Sequence, residues 1–187
     1  NPSASLDFSG TLTNNAGQSG IVVKSGGALK QSNSSISATV EQSIDAASWS
    51  TWDDGWHLLS SPVASQSIAA DGAGFVTSGD GNDYDFYAWS EPNNLWINYK
   101  NSSTEPTFTS VNGSGNFTVG KGYLVAYQQS GTKQFKGNLN VNDVSVSGLT
   151  KTNSSATRAW HLLGNPYSCP ITWDNTWTRS NVGAVCQ

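Results

Sequence analysis

Methionine is absent from this chain of 187 residues, and cysteine occurs only at Cys169 and Cys186. The missing initiator leads to the expectation of a processed or excised piece of a longer polypeptide. Charge is also scarce. Lys and Arg total 9, Asp and Glu 13, and together they make up 12% of the chain, for a net charge of -4. Phosphate polymers are bound by clusters of Lys and Arg, so cations this few and scattered speak against a nucleic-acid partner. No apolar run approaches the roughly 18 residues a membrane helix needs, and no charged-then-apolar leader opens the chain, so membrane insertion is not expected. The two cysteines are close enough in sequence to close a small loop in an oxidising compartment, with two buried thiols as the alternative. Zinc is disfavoured, because no His, Cys or carboxylate cluster accompanies them at ligand spacing.

What is abundant is Gly, Ser, Asn, Thr and aromatic residues, including 8 Trp and 19 Gly. That composition suits short strands joined by turns. From Leu6 to Val40 the apolar residues come in short alternating groups: Leu6 and Phe8, Leu12, Ile21 and Val23, Leu29, then Ile36, Ala38 and Val40. Glycines separate them, so residues 1–46 read as short strands, stacked either as solenoid rungs or as plain hairpins. Residues 47–187 read as an aromatic-rich module with strand candidates at Trp56–Pro62, Tyr84–Trp89, Leu95–Lys100, Gly122–Tyr127, Lys133–Leu139 and Val141–Val146. Helix is expected only as short turns near Trp173–Ser180. The expected fold is therefore all-β: a β-sandwich or flattened barrel preceded by solenoid-like or hairpin strands.

Trp56-His57-Leu58-Leu59-Ser60-Ser61-Pro62 has a partial echo in Trp160-His161-Leu162-Leu163-Gly164-Asn165-Pro166. The echo suggests two equivalent strands, each stopped where proline forbids further pairing, with Trp56 and Trp160 in the core. Both histidines hold the same place in their copies, which favours structural roles.

These segments, with Tyr84-Asp85-Phe86-Tyr87-Ala88-Trp89, Gly120-Lys121-Gly122-Tyr123-Leu124-Val125-Ala126-Tyr127 and Leu162-Leu163-Gly164-Asn165-Pro166-Tyr167, resemble a module of secreted Bacteroidetes proteins exported by the type IX secretion system. There the module commonly follows solenoid-like sequence or an enzyme domain and precedes a C-terminal sorting domain. The likeness spans about Ser35 to Trp173. It implies export, residence at the cell surface or outside the cell, and association with other domains of a parent protein. It carries no catalytic motif.

Reading Tyr84–Lys100 as a hairpin turned at Glu91-Pro92-Asn93-Asn94 pairs Trp89 with Trp96. Phe86, Ala88, Ile97 and Tyr99 then share one face, and Asp85, Tyr87, Trp89, Trp96, Asn98 and Lys100 the other. Indole faces stack on the C–H faces of sugars while amides and charges bind hydroxyls, so this second face is a candidate carbohydrate platform. Packing of both rings beneath another sheet is the competing reading. Trp49, Trp52 and Trp56 beside Asp53 and Asp54 form a second aromatic cluster, in which Trp52 is the candidate for exposure and ligand contact. Trp173 and Trp177 beside Asp174 form a third.

Asp80, Asn82, Asp83 and Asp85 place oxygen ligands along a Gly-rich stretch, as a structural calcium ion requires, although the twelfth-position Glu of an EF-hand is missing. A solvated acidic turn explains them equally well, and no other cofactor is suggested. The carboxylate pairs Asp53–Asp54 and Asp85–Glu91 invite a glycosidase reading, which needs two carboxyls roughly 5–9.5 Å apart. Ser60 and Ser61 lack a nucleophile-elbow sequence, and His57 precedes them. The sequence thus points to a non-catalytic extracellular module that binds a polysaccharide, with a structural spacer or adhesin as the alternative and polysaccharide cleavage behind both. The acidic balance favours a neutral glycan unless Lys100, Lys121 and Lys136 gather in space.

Overall fold

The computed structural model describes residues 4–48, 54–76, 83–152, 159–174 and 176–183. Trp49, Trp52, Asp53, Asp80, Asn82 and Cys186 lie outside them. Among the described residues nine strands carry the fold: β1 (Ala4–Phe8), β2 (Val22–Val23), β3 (Gly27–Gln31), β4 (Ser37–Ile44), β5 (His57–Leu59), β6 (Tyr84–Ser90), β7 (Leu95–Asn98), β8 (Tyr123–Tyr127) and β9 (Gly131–Asn138). One short helix, α1 (Phe108–Asn112), follows β7. No helix among the described residues is long and apolar enough to cross a membrane.

The first four strands pair in parallel, β1 with β3 and β2 with β4. A tight hairpin can only give antiparallel neighbours, so the stacked-rung reading of the N-terminal strands holds over the hairpin reading. In the β1–β3 pair Leu6 lies in register with Leu29, and Asp7 with Lys30, whose ammonium reaches its carboxylate at 2.9 Å. β4 then pairs antiparallel with β9 along its whole length, Ser37 opposite Asn138 through Ile44 opposite Gly131. It is thus both the last rung strand and the middle of the β2-β4-β9 sheet.

The second large sheet has the order β5-β8-β6-β7, with all neighbours antiparallel. Between the two sheets lies one continuous apolar core, running from Val23 and Ile36 to Phe86, Val125 and Phe135. Aromatic rings bridge the layers. Phe135 of β9 meets Phe75 and Phe117 at centroid distances of 4.6 and 5.1 Å, and Phe117 meets Tyr123 of β8 at 5.4 Å and Phe86 of β6 at 5.9 Å. The layering is that of a sandwich, and no barrel closes among the described residues.

Three expectations are corrected. Residues 141–146 form no strand; they run as coil across the surface, where Val144 and Val146 lie against Gly120. Gly120 is required there twice over. Its φ is +78°, and a Cβ would come within 2.5 Å of Val146. Helix does not occur near Trp173–Ser180 among the described residues but at Phe108–Asn112, where the Thr107 hydroxyl caps the Ser110 N–H and Gly113, at φ 86°, ends the turn. Trp160 is not core: it is 44% exposed, and Trp56 is half-buried.

The echoed segments nevertheless converge. β5 pairs with Tyr123–Val125, while Lys121 bridges Leu163 and the Gly122 and Gly164 amides donate to the carbonyls of Leu162 and Gly120. Both copies therefore lie along successive parts of one stretch, 120–125. They meet where the Ser60 hydroxyl donates to the Asn165 carbonyl at 2.6 Å. Only the first copy has the strand conformation.

Candidate ligand-binding groove

The β6–β7 hairpin has the register read from the sequence: Trp89 is opposite Trp96, Tyr87 opposite Asn98, and Ser90 opposite Leu95, leaving residues 91–94 as the turn. Its inner face is core, since Phe86 and Ala88 are fully buried and Ile97 nearly so. On the outer face the Asp85 carboxylate, itself buried, accepts from Asn98 Nδ2 at 2.7 Å and pairs with the Lys100 ammonium at 3.0 Å. Lys100 also lies 4.9 Å from the Tyr84 ring centre. Tyr87 packs on Trp56 at 6.0 Å. Asp85, Asn98 and Lys100 are thus committed to one another.

Of the two tryptophans, Trp96 is 40% exposed and Trp89 is half-buried. Their centroids are 5.2 Å apart with the ring planes at 61°, an edge-to-face pair rather than a flat platform. Trp89 is further tied by its Nε1–H, which donates to the Trp160 carbonyl at 2.8 Å.

Trp89 forms one wall of an open groove of about 750 Å³. The groove runs between the β6–β7 turn, the Glu105–Val111 segment, the loop before β8, and residues 146–150 and 161–163. Glu91, Glu105, Lys121 and His161 supply its charged and titratable groups. The size is within the range of small-molecule sites.

Glu91 is the most heavily used of these groups. It is 2% exposed, and its carboxylate accepts from Thr150 Oγ1 at 2.6 Å, Thr152 N at 3.0 Å, Thr152 Oγ1 at 2.8 Å and Ala159 N at 3.2 Å. The Thr150 hydroxyl first, then the Thr152 amide, hold its carboxyl down at about 2. A carboxyl so depressed in the folded state contributes stability in full above its ordinary 4.5, and the contribution is lost as pH falls through about 2. An acid titration followed by the Glu91 carboxyl carbon resonance is expected to have its midpoint near 2; a midpoint near 4.5 would show that the four donors do not hold in solution.

The neighbouring groups are also satisfied. The Glu105 carboxylate takes the Ser110 hydroxyl at 2.8 Å and the Thr107 amide at 3.0 Å, and these bonds lower its pKa. Lys121 Nζ donates to the Val111 carbonyl at 3.0 Å, while burial lowers the ammonium below its ordinary value. His161 Nε2 sits 3.0 Å from the Thr150 amide and 2.9 Å from the Thr150 carbonyl. The other echoed histidine, His57, has a buried Nε2 without a hydrogen-bond partner among the described residues, so equal sequence positions have unequal surroundings.

The Asp85–Glu91 pair of the glycosidase reading is divided between two networks, Asp85 with Lys100 and Glu91 with Thr150, Thr152 and Ala159. A general acid needs a raised carboxyl, and the Glu91 shift has the opposite sign. Asp54 accepts from the Ser48 amide at 2.9 Å. For the calcium reading, Asp83 and Asp85 are the described members, and Asp85 already holds Lys100 and Asn98. Cys169 is half-buried, with its thiol pushed up by burial. Trp173 and Trp177 pack with ring centroids 4.6 Å apart and planes tilted by 47°, and the Arg179 guanidinium lies 5.8 Å from the Trp173 ring.

The sequence points to Trp89 and Trp96, but offers Glu91 only as a turn residue and half of a carboxylate pair, and His161 only as part of an echo. The donors to Glu91 lie 59 to 68 residues away in a polar segment with no periodic signal. Comparison with protein-family models, with curated proteins and with solved structures yields no match.

Proposed function

We propose that the chain is a non-catalytic carbohydrate-binding module of a larger secreted or cell-surface protein, which takes a neutral polysaccharide into the groove beside Trp89. The observation that carries this reading is the groove of about 750 Å³ with an indole in its wall and a second, exposed indole, Trp96, beside it. An indole in contact with hydroxyl, amide and carboxylate groups matches the mixed apolar and polar surface of a pyranose. Two carboxylates, Glu91 and Glu105, outnumber the one ammonium, Lys121, so the groove disfavours uronate and sulfated chains. The low charge, the strand-rich fold and the resemblance to type IX secreted modules support an extracellular setting.

Affinity electrophoresis against neutral and acidic polysaccharides tests the reading. A neutral glycan is expected to retard the protein, and Trp96→Ala, at a partly exposed position, is expected to weaken retention about tenfold without unfolding the chain. The 61° angle between the two rings favours the second reading, a spacer or adhesin module without glycan binding. That reading requires no retardation by any polysaccharide.

A further inference from the structure

We infer that Glu91 is a positioning residue that latches the segment 146–152 in place as a wall of the groove. Val146, Ser147, Gly148, Leu149 and Thr150 line the groove, yet this segment belongs to no strand or helix and is largely exposed. A segment without a ladder of backbone bonds and with little buried apolar surface keeps its place only through specific anchors. Glu91 supplies most of them. Its one carboxylate collects the Thr150 hydroxyl and both the amide and hydroxyl of Thr152, and it takes the Ala159 amide as well. Ala159 is held at φ +81°, a conformation alanine rarely adopts, with its N–H on the same carboxylate. Among the described residues, further anchors are the His161–Thr150 contact and the seating of Val146 on Gly120.

The burial of Glu91 follows from the same geometry. An ionised carboxylate at 2% exposure is tolerated because four donors replace its water. Removing the charge leaves those donors with a weaker acceptor, and the wall is released while the hairpin beneath it, paired through the β6–β7 ladder, is not.

Residue-resolved amide hydrogen exchange on the full chain tests this without reference to any ligand. In Glu91→Gln the amides of Thr152 and Ala159 are expected to exchange about tenfold faster or more, while those of β6 and β8 keep their protection. Should Glu91→Gln lose protection in β6 and β8 as well, the paired change Thr150→Val with Thr152→Val removes both hydroxyl donors from the wall side and is expected to give the same local acceleration. Unchanged exchange at Thr152 and Ala159 in a folded variant overturns the latch.

The consequence for ligand affinity rests on the carbohydrate reading, and the two are separable. Faster exchange in Glu91→Gln, with no polysaccharide retarding the wild-type protein, upholds the latch and rejects the glycan. Retardation of the wild type with unchanged exchange in the variant does the reverse.

Discussion

Phe86→Ala is expected to destabilise the protein by roughly 3–5 kcal/mol, the range for truncating a buried phenylalanine in a core that cannot close the cavity. Phe86 has no solvent exposure and sits where the two layers meet. Its ring touches those of Tyr99, Phe108, Phe117 and Tyr123 at centroid distances of 6.1, 6.1, 5.9 and 5.3 Å. These neighbours belong to β8, α1 and the connecting segments, so a cavity here faces several rigid walls and collapse is opposed from each. Tyr123 is further fixed by its hydroxyl, which donates to Asn112 Oδ1 at 2.8 Å and accepts from the Thr118 amide at 2.8 Å. Urea unfolding checks this: a lowered midpoint with an unchanged slope is expected, and a loss under about 1 kcal/mol would show that the core repacks.

Alkali is expected to unfold the protein cooperatively, with the onset above about pH 10. Burial is the leading cause that raises the phenols of Tyr84, Tyr87, Tyr123 and Tyr127, and Tyr127, whose hydroxyl donates to the Phe75 carbonyl at 2.9 Å, is raised most strongly. An acid whose folded pKa lies above its unfolded value binds its proton longer in the folded state. Its contribution is therefore complete below the unfolded value of about 10 and is lost as pH rises beyond it.

Lys133 acts with the opposite sign over a lower window. It is 7% exposed, with its ammonium 3.5 Å from the Tyr127 ring centre, and burial pulls its pKa down to about 8. Between about 8 and its ordinary 10.5 the unfolded chain holds the extra proton, so this term makes stability rise with pH. Urea midpoints are thus expected to hold or climb from about pH 8 to about 10 and then fall, with tyrosinate absorbance growing in step with unfolding. Smooth ionisation of all tyrosines near pH 10 without unfolding would contradict the buried placement of these rings.

The parts of this fold that can be read from sequence are those with a local period. The β6–β7 hairpin is one: alternation fixes its faces and a Pro-Asn-Asn turn fixes its register, so Trp89 falls opposite Trp96 as read. The short alternating groups before Val40 likewise indicate strands, but not whether their pairing is parallel, because parallel partners such as Leu6 and Leu29 are brought together by a full rung rather than a turn. Residues 141–146 alternate as a strand would and yet form none, since their valines seat on Gly120 and leave the backbone without a ladder.

Trp160 misled for a related reason. Its copy of the motif follows Trp56 in composition, but the place beside β8 is already taken by β5, and the second copy pairs through the stretch before β8 instead. At the candidate site the pattern is the same. The tryptophans were legible because they belong to a hairpin, whereas the groove depends on Glu91 gathering donors from a segment remote in sequence.

The most direct test of the central claim is a titration of the folded protein with neutral oligosaccharides, following the indole N–H resonances. Saturable shifts of the Trp89 and Trp96 signals are expected, with the Trp173 and Trp177 signals unmoved. No shift with any neutral glycan, or shifts confined to Trp173 and Trp177, would contradict the groove beside Trp89 as the binding site and leave the spacer reading in its place.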